Sequence, residues 1–290
     1  MINGSIPALI TPFRDGKVDE ARFQRFVDWQ IGEGSSALVP CGTTGESSTL
    51  SLEEHVRVVE LCVEAAGRRA PVIAGAGSND TATAVDLTRA AKKAGADAVL
   101  LVAPYYNRPS QEGLYQHYKA ISEAADIPMV IYNVPTRTVV DIAPETLGRI
   151  SKLANVIGVK DASGDLSRVA RHRELCGENF IQLSGNDDTA VEFCELGGAG
   201  CISVTANVAP KLCAEMQAAL GAGDGARARA INAKLANLHR AMFVEPSPAP
   251  AKYAASLLDR AGEDVRLPII PCSDSAKQAV RAAMAEAGLL

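Results

Sequence analysis

Short apolar runs rich in valine, isoleucine and leucine recur along the chain, and longer stretches of helical period lie between them. The runs at 6–10, 37–40, 72–75, 98–102, 129–132, 156–159, 181–184 and 201–204 predict strands. Helices are predicted at 20–31, 52–66, 81–93, 112–125 and 189–196, among other intervening stretches. Eight strands, each followed by a helix, are the pattern of an α/β chain closed into a (β/α)8 TIM barrel. An open doubly wound sheet usually has fewer units and a glycine fingerprint after its first strand. Here the first strand runs into Thr11-Pro12-Phe13, and Gly75-Ala76-Gly77 lacks the third glycine and reads as a tight turn.

The alternation ends near Gly221-Ala222-Gly223-Asp224-Gly225, a helix-breaking junction. Beyond it Ile231, Leu235, Leu238 and Met242 share one helical face, a proline-rich kink follows at 245–250, and helices are predicted at 251–261 and 275–287. The organisation expected is a barrel over residues 1–223 carrying the active site, with a C-terminal helical domain over 224–290 for packing or assembly.

Composition narrows the function classes. The chain has 290 residues, 47% hydrophobic and 22% charged, enough apolar surface for a full core. A net charge of -5 argues against a general nucleic-acid binder but leaves small acids open as ligands. The amino terminus does not read as a signal peptide and no apolar run is long enough to span a bilayer, so no membrane partner and a cytoplasmic location are expected. Seven dispersed cysteines without a C-x-x-C pair read as reduced core residues. His55, His117, His172 and His239 stand isolated on helical segments, expected to be surface positions, and no metal site is predicted.

In a barrel of this kind the carboxyl ends of the strands share one mouth, where active sites sit. Lys160 follows the apolar run Val156-Ile157-Gly158-Val159, as if a buried strand emptied into a loop. Partial loss of water there favours the neutral amine, the form that attacks carbonyl carbon. At an ordinary pKa of about 10.4 only about one lysine in a few thousand is uncharged at neutral pH. The alternative is a lysine snorkelling into solvent.

Three other loops reach the same mouth. Cys41-Gly42-Thr43-Thr44-Gly45-Glu46 offers backbone N–H groups and hydroxyls that suit a carboxylate, or else simply a turn with a capping threonine. Pro104-Tyr105-Tyr106-Asn107-Arg108-Pro109 is unusually aromatic for a chain with 4% aromatic residues, and covers the barrel end if it does nothing else. Tyr132-Asn133-Val134-Pro135-Thr136-Arg137 brings a phenol suited to proton relay and a guanidinium suited to a carboxylate. Amine, phenol, hydroxyls and guanidinium together fit Schiff-base chemistry on a 2-oxo acid.

These four segments, in this order and followed by Phe243-Val244-Glu245-Pro246, give a chain that resembles the dihydrodipicolinate synthase / N-acetylneuraminate lyase superfamily over nearly its whole length, and within it the dihydrodipicolinate synthase branch. The resemblance implies a lyase in which Lys160 condenses with pyruvate and the enamine attacks the aldehyde of aspartate 4-semialdehyde. The product is the 4-hydroxy-tetrahydrodipicolinate of lysine and diaminopimelate biosynthesis. It further implies that Thr43, Thr44 and Ile202 hold pyruvate, and that Tyr132 moves protons relayed by Thr43 and by Tyr106 from a neighbouring subunit. Arg137 would bind the aldehyde substrate's carboxylate, and Gly185 would belong to the substrate-binding set. No cofactor is implied beyond the pyruvate imine on Lys160, and the assembly is a homotetramer.

Feedback-sensitive members of the family bind lysine at positions matching Ser47, Ser48, His55, Gly77, Asn79 and Tyr105. Here Leu52 stands where many such members have histidine and Thr83 where they have glutamate. Without that carboxylate the ligand's ammonium loses an ion-pair partner, so weak or absent lysine inhibition is expected. Asn186 follows Gly185 where aspartate is frequent. The competing readings are a sister lyase acting on sialic acid or a 2-keto-3-deoxy sugar acid, a binding protein that kept the fold, and a phosphate-binding isomerase. The last lacks its loop, because Gly197-Gly198-Ala199-Gly200 precedes the eighth strand.

Overall fold

The computed structural model describes residues 2–290. Its principal sheet holds seven parallel strands: β1 (Gly4–Pro7), β4 (Ile73–Gly75), β5 (Ala98–Val102), β6 (Met129–Asn133), β7 (Val156–Asp161), β8 (Ile181–Ser184) and β9 (Gly200–Ser203). They run in the order β1-β9-β8-β7-β6-β5-β4. The predicted strand at 37–40 closes the ring without forming a regular strand. It joins its two neighbours through the bridges Ala8 to Val39 and Leu38 to Val72. Hydrogen bonds from Leu9 N to Val39 O (2.9 Å) and from Ile73 N to Leu38 O (2.8 Å) complete the seam. Pro7, Pro40 and Pro71 lie along this seam, and each offers a carbonyl without an N–H, which thins the ladder.

Between β1 and the first helix lies an unforeseen hairpin, β2 (Phe13–Arg14) and β3 (Lys17–Val18). Its turn residues Asp15 and Gly16 both have positive φ, 53° and 75°. An Asp-Gly pair is the sequence signal for such a turn.

The helices around the barrel are α1 (Glu20–Gly32), α2 (Leu52–Ala66), α3 (Thr81–Ala94), α4 (Gln111–Ala124), α5 (Pro135–Thr138), α6 (Pro144–Ile150), α7 (Arg168–Cys176), α8 (Ala190–Glu195) and α9 (Pro210–Gly221). Side-chain caps start several of them: Asp19, Ser51, Asp80 and Ser110 each accept from the backbone N–H three residues on. The C-terminal segment adds α10 (Gly225–Ala241), α11 (Ala249–Leu257) and α12 (Asp274–Glu286). Leu235, Leu238 and Met242 are fully buried there, in an apolar cluster continuous with the outer barrel layer. Among the described residues no helix is long and apolar enough to cross a membrane.

Alternation along each strand sorts side chains into two layers. Val99, Leu101, Met129, Ile131 and Val159 face the helices. Ile6, Val39, Ile73, Ala98, Leu100, Val130 and Leu183 fill the barrel interior. Tyr132 has the interior parity, and so does Lys160, its partner in the β6–β7 register. The lysine is the last-but-one residue of β7 rather than the first of a loop, because the β6–β7 ladder extends to the pair Asn133 and Asp161.

The four histidines do lie on helical segments, but the expectation of surface positions fails. His55, His117, His172 and His239 are 1–7% exposed. Three have ring partners: Gly75 O at 2.7 Å from His55, Thr81 Oγ1 at 2.9 Å from His117 and Thr205 Oγ1 at 2.8 Å from His239. Burial holds all four below the ordinary histidine pKa. All seven cysteines are free, and five are buried.

Candidate active site

Lys160 lines a cavity of about 330 Å³ at the carboxyl end of the strands, together with Gly42, Thr43, Thr44, Tyr132, Arg137, Gly185 and Asn186. Ala8, Val39 and Leu100 form an apolar floor, while Phe243 and Ser247 arrive from the C-terminal segment. Among the described residues two cationic side chains line this space, and no carboxylate does. In a partly enclosed site that charge pattern favours an anionic ligand.

Lys160 is 6% exposed, and its nitrogen stands 4.2 Å from the centroid of the Tyr132 ring. Among the described residues no carboxylate lies within ion-pair distance of it. Its neighbour Asp161 has the opposite strand parity and points out of the barrel. There the carboxylate accepts from Ser163 N at 2.7 Å and lies 3.9 Å from the Arg168 guanidinium. Gly185 has a steric reason to be glycine: a Cβ would meet Ala162 Cβ at 2.6 Å and Lys160 Cε at 3.0 Å. Its missing side chain is the room in which the lysine extends.

The loop after 37–40 folds as a tight turn, with Gly45 N and Glu46 N donating to Gly42 O and Thr43 O at 3.1 Å. Among the described residues the N–H groups of Thr43 and Thr44 have no acceptor within the chain, which leaves them free for a ligand. Thr44 is buried, whereas Thr43 is exposed on the wall between two cavities. Arg137 comes from the short helix α5, started by Pro135 and ended at Val139 with a φ of 58°. Its guanidinium is exposed and unpaired among the described residues.

The remaining predicted residues separate. Ile202 is buried in the interior cluster on β9 and is not part of the cavity wall. Tyr106 is 88% exposed, outside the cavity, with a φ of 72°. Ser47, Ser48, His55, Gly77 and Tyr105 do meet, around a second cavity of about 490 Å³ that also touches Leu52, Thr83, Thr43 and Arg137. Asn79 is not among its walls; its carbonyl accepts from Asn107 Nδ2 at 2.8 Å. Gly75 and Gly77 have ordinary φ values and are not a glycine-specific turn. A Cβ on them would strike Cys41 O at 2.1 Å and Val102 N at 2.4 Å, so close backbone approach explains both. Sequence reasoning did not place Phe243 and Ser247 in the wall. The proline-rich kink beside them was the available signal.

Comparison with known proteins gives the family of the chain. The family model described as "Dihydrodipicolinate synthetase family" matches residues 1–287. A 4-hydroxy-tetrahydrodipicolinate synthase of Hyphomonas neptunium is 59% identical, over 100% of this chain and 99% of that protein. The crystal structure of a chloride-inhibited dihydrodipicolinate synthase from Acinetobacter baumannii, complexed with pyruvate, is 45% identical with a TM-score of 0.98 and covers 100% of both chains. One from Cyanidioschyzon merolae with lysine bound is 37% identical, with a TM-score of 0.96 over 99% of each chain. The chain belongs to the dihydrodipicolinate synthetase family.

Proposed function

We propose that the chain is a lyase, a 4-hydroxy-tetrahydrodipicolinate synthase, that condenses pyruvate with aspartate 4-semialdehyde through an imine on Lys160. The reading rests on one observation above all: a buried lysine without a counter-charge in a cavity that contains no acid and one free guanidinium. Its full-length relatives bear that enzyme name.

The neutral Lys160 amine adds to the C2 carbonyl of pyruvate, and water leaves as the imine forms. The pyruvate carboxylate sits on the free N–H groups of Thr43 and Thr44. The protonated imine then serves as the electron sink, so the chemistry needs no separate cofactor. Loss of a C3 proton gives the enamine, whose C3 bonds to the aldehyde carbon while the aldehyde oxygen takes up a proton. Tyr132, packed against the lysine, is the relay for these protons, aided by Thr43 and by Tyr106 of a second copy. Arg137 receives the carboxylate of the aldehyde substrate. The amine of that substrate then displaces Lys160 at the imine carbon and closes the ring. Self-association follows from the same reading, because an exposed Tyr106 outside the cavity would reach substrate across an interface, and the family resemblance makes that assembly a homotetramer. A cytoplasmic location completes it.

Borohydride reduction in the presence of pyruvate tests the mechanism. It adds a pyruvate-derived mass to the Lys160 peptide and none to a Lys160→Ala variant. An unchanged mass in the parent protein would end the imine reading.

A further inference from the structure

Outside the cavity the chain buries a second lysine. Lys252 on α11 has no solvent exposure. Its ammonium lies 2.5 Å from Glu46 Oε1, donates to Asp264 O at 2.6 Å and stands 3.9 Å above the Phe13 ring. Glu46 is the last residue of the turn that carries Thr43 and Thr44, has a φ of 56° and is itself buried. Its other oxygen accepts from Arg266 N at 2.9 Å.

Arg266 holds the far side of the same segment. Its guanidinium forks onto Glu54, with both bonds at 2.6 Å, donates to Thr49 O at 2.8 Å and stacks 4.3 Å from Phe13. Glu54 in turn caps the start of α2 with Ser51. The remaining tether of the turn, Thr11 Oγ1 to Gly45 O at 2.8 Å, comes from the residues just before the hairpin. The segment from Glu46 to Glu54 is therefore gripped by residues more than 200 positions later in the chain. Burial pulls the Lys252 amine down to about 8 against the opposing pull of Glu46, so the desolvation cost of this grip is appreciable.

We infer that Glu46, Lys252 and Arg266 are positioning residues: the C-terminal segment holds the 42–46 turn so that the Thr43 and Thr44 N–H groups stay aimed at the pyruvate carboxylate. None of the three side chains lines the active cavity, so they act through the turn and not on substrate. The inference rests on the pyruvate-imine reading above. It also gives the C-terminal helices a role in binding beyond packing.

The test uses the full chain with Glu46→Gln, Lys252→Met and the double variant, in which neither charge is left buried alone. Half-saturating pyruvate for borohydride trapping should rise at least about fivefold in the double variant and in each single variant that folds. The plateau of labelled Lys160 and the KM for the aldehyde should stay within about twofold of the parent. A folded double variant that saturates at the parent's pyruvate concentration overturns the inference, as does an equal rise in KM for both substrates. If the parent itself traps no pyruvate, the imine reading is what has failed, and the two failures are told apart by that control.

Discussion

Lys160 and Lys252 are both buried, at 6% and 0% exposure, and each nitrogen stands over an aromatic ring, 4.2 Å from Tyr132 and 3.9 Å from Phe13. They differ in what completes the surroundings. Lys252 has a carboxylate at 2.5 Å and a carbonyl at 2.6 Å. Lys160 opens onto a cavity that no acidic residue lines among the described residues. A counter-charge turns a buried amine into a structural cross-link with its charge spent on one partner. Its absence, with room beside the nitrogen, leaves the amine available to a keto acid. Burial is common to both; the second partner decides between them.

The comparison breaks first at Lys160. Lys160→Ala should lower the rate of condensation by on the order of a thousandfold or more while leaving the fold intact, since a nucleophile has no substitute in the cavity. Steady-state assays beside circular dichroism check both halves. Lys252→Met should do the reverse. It leaves Glu46 buried without its cation, at a cost of about 3–5 kcal/mol in urea unfolding. Pairing it with Glu46→Gln should recover most of that loss, and a double variant as unstable as the single one would refute the cross-link.

A smaller effect concerns the third cation. Arg137→Met should raise the KM for aspartate 4-semialdehyde by about 10–100-fold and leave pyruvate trapping untouched. A histidine extends the contrast to a base with no counter-charge in contact. Burial lowers the His117 pKa from 6.5 to about 4, against a weaker opposing pull from Asp80. The folded chain therefore refuses a proton that the unfolded chain accepts. This contribution is complete above pH 6.5 and fades as pH falls toward 4, about 2 kcal/mol being lost at pH 5. Urea midpoints at pH 7 and pH 5 should differ less in a His117→Gln variant than in the parent. If both shift alike, another group is responsible.

The smallest effect lies at the second cavity, where Thr83 spends its hydroxyl and its N–H on Asp80, at 2.6 and 2.7 Å, and Leu52 is 57% exposed. Lysine should inhibit the parent weakly. Thr83→Glu, which adds a carboxylate for the ligand's ammonium, should strengthen inhibition about tenfold. Strong inhibition of the parent in a lysine titration would contradict the role given to these two positions.

How much of this was legible beforehand depended on range. Leu52–Ala66 and Ala98–Val102 match the predicted helix and strand because capping and apolar periodicity act within a few residues. α7 was not singled out because its sequence, Arg168 to Cys176, is largely polar and buries only Val169 and His172. The hairpin was missed although Asp15-Gly16 signalled it. At the site, Lys160, Tyr132, Thr43, Thr44, Arg137 and Gly185 do share one cavity. Ile202 and Tyr106 do not line it, and Asn79, expected with Ser47, Ser48, His55 and Tyr105, does not line the second cavity. Their expected roles came from resemblance, and for Tyr106 that role requires a neighbouring subunit.

The barrel class and seven of its eight predicted strands were determined by the chain's own alternation of short apolar runs and helical stretches, since such periodicity acts within a few residues. The tertiary structure alone decided which cations receive partners. Glu46 meets Lys252 and Arg266 across more than two hundred residues of sequence, and three of the four buried histidines meet backbone or hydroxyl groups from other elements. Such pairings depend on distances through space, which no local pattern of residues encodes.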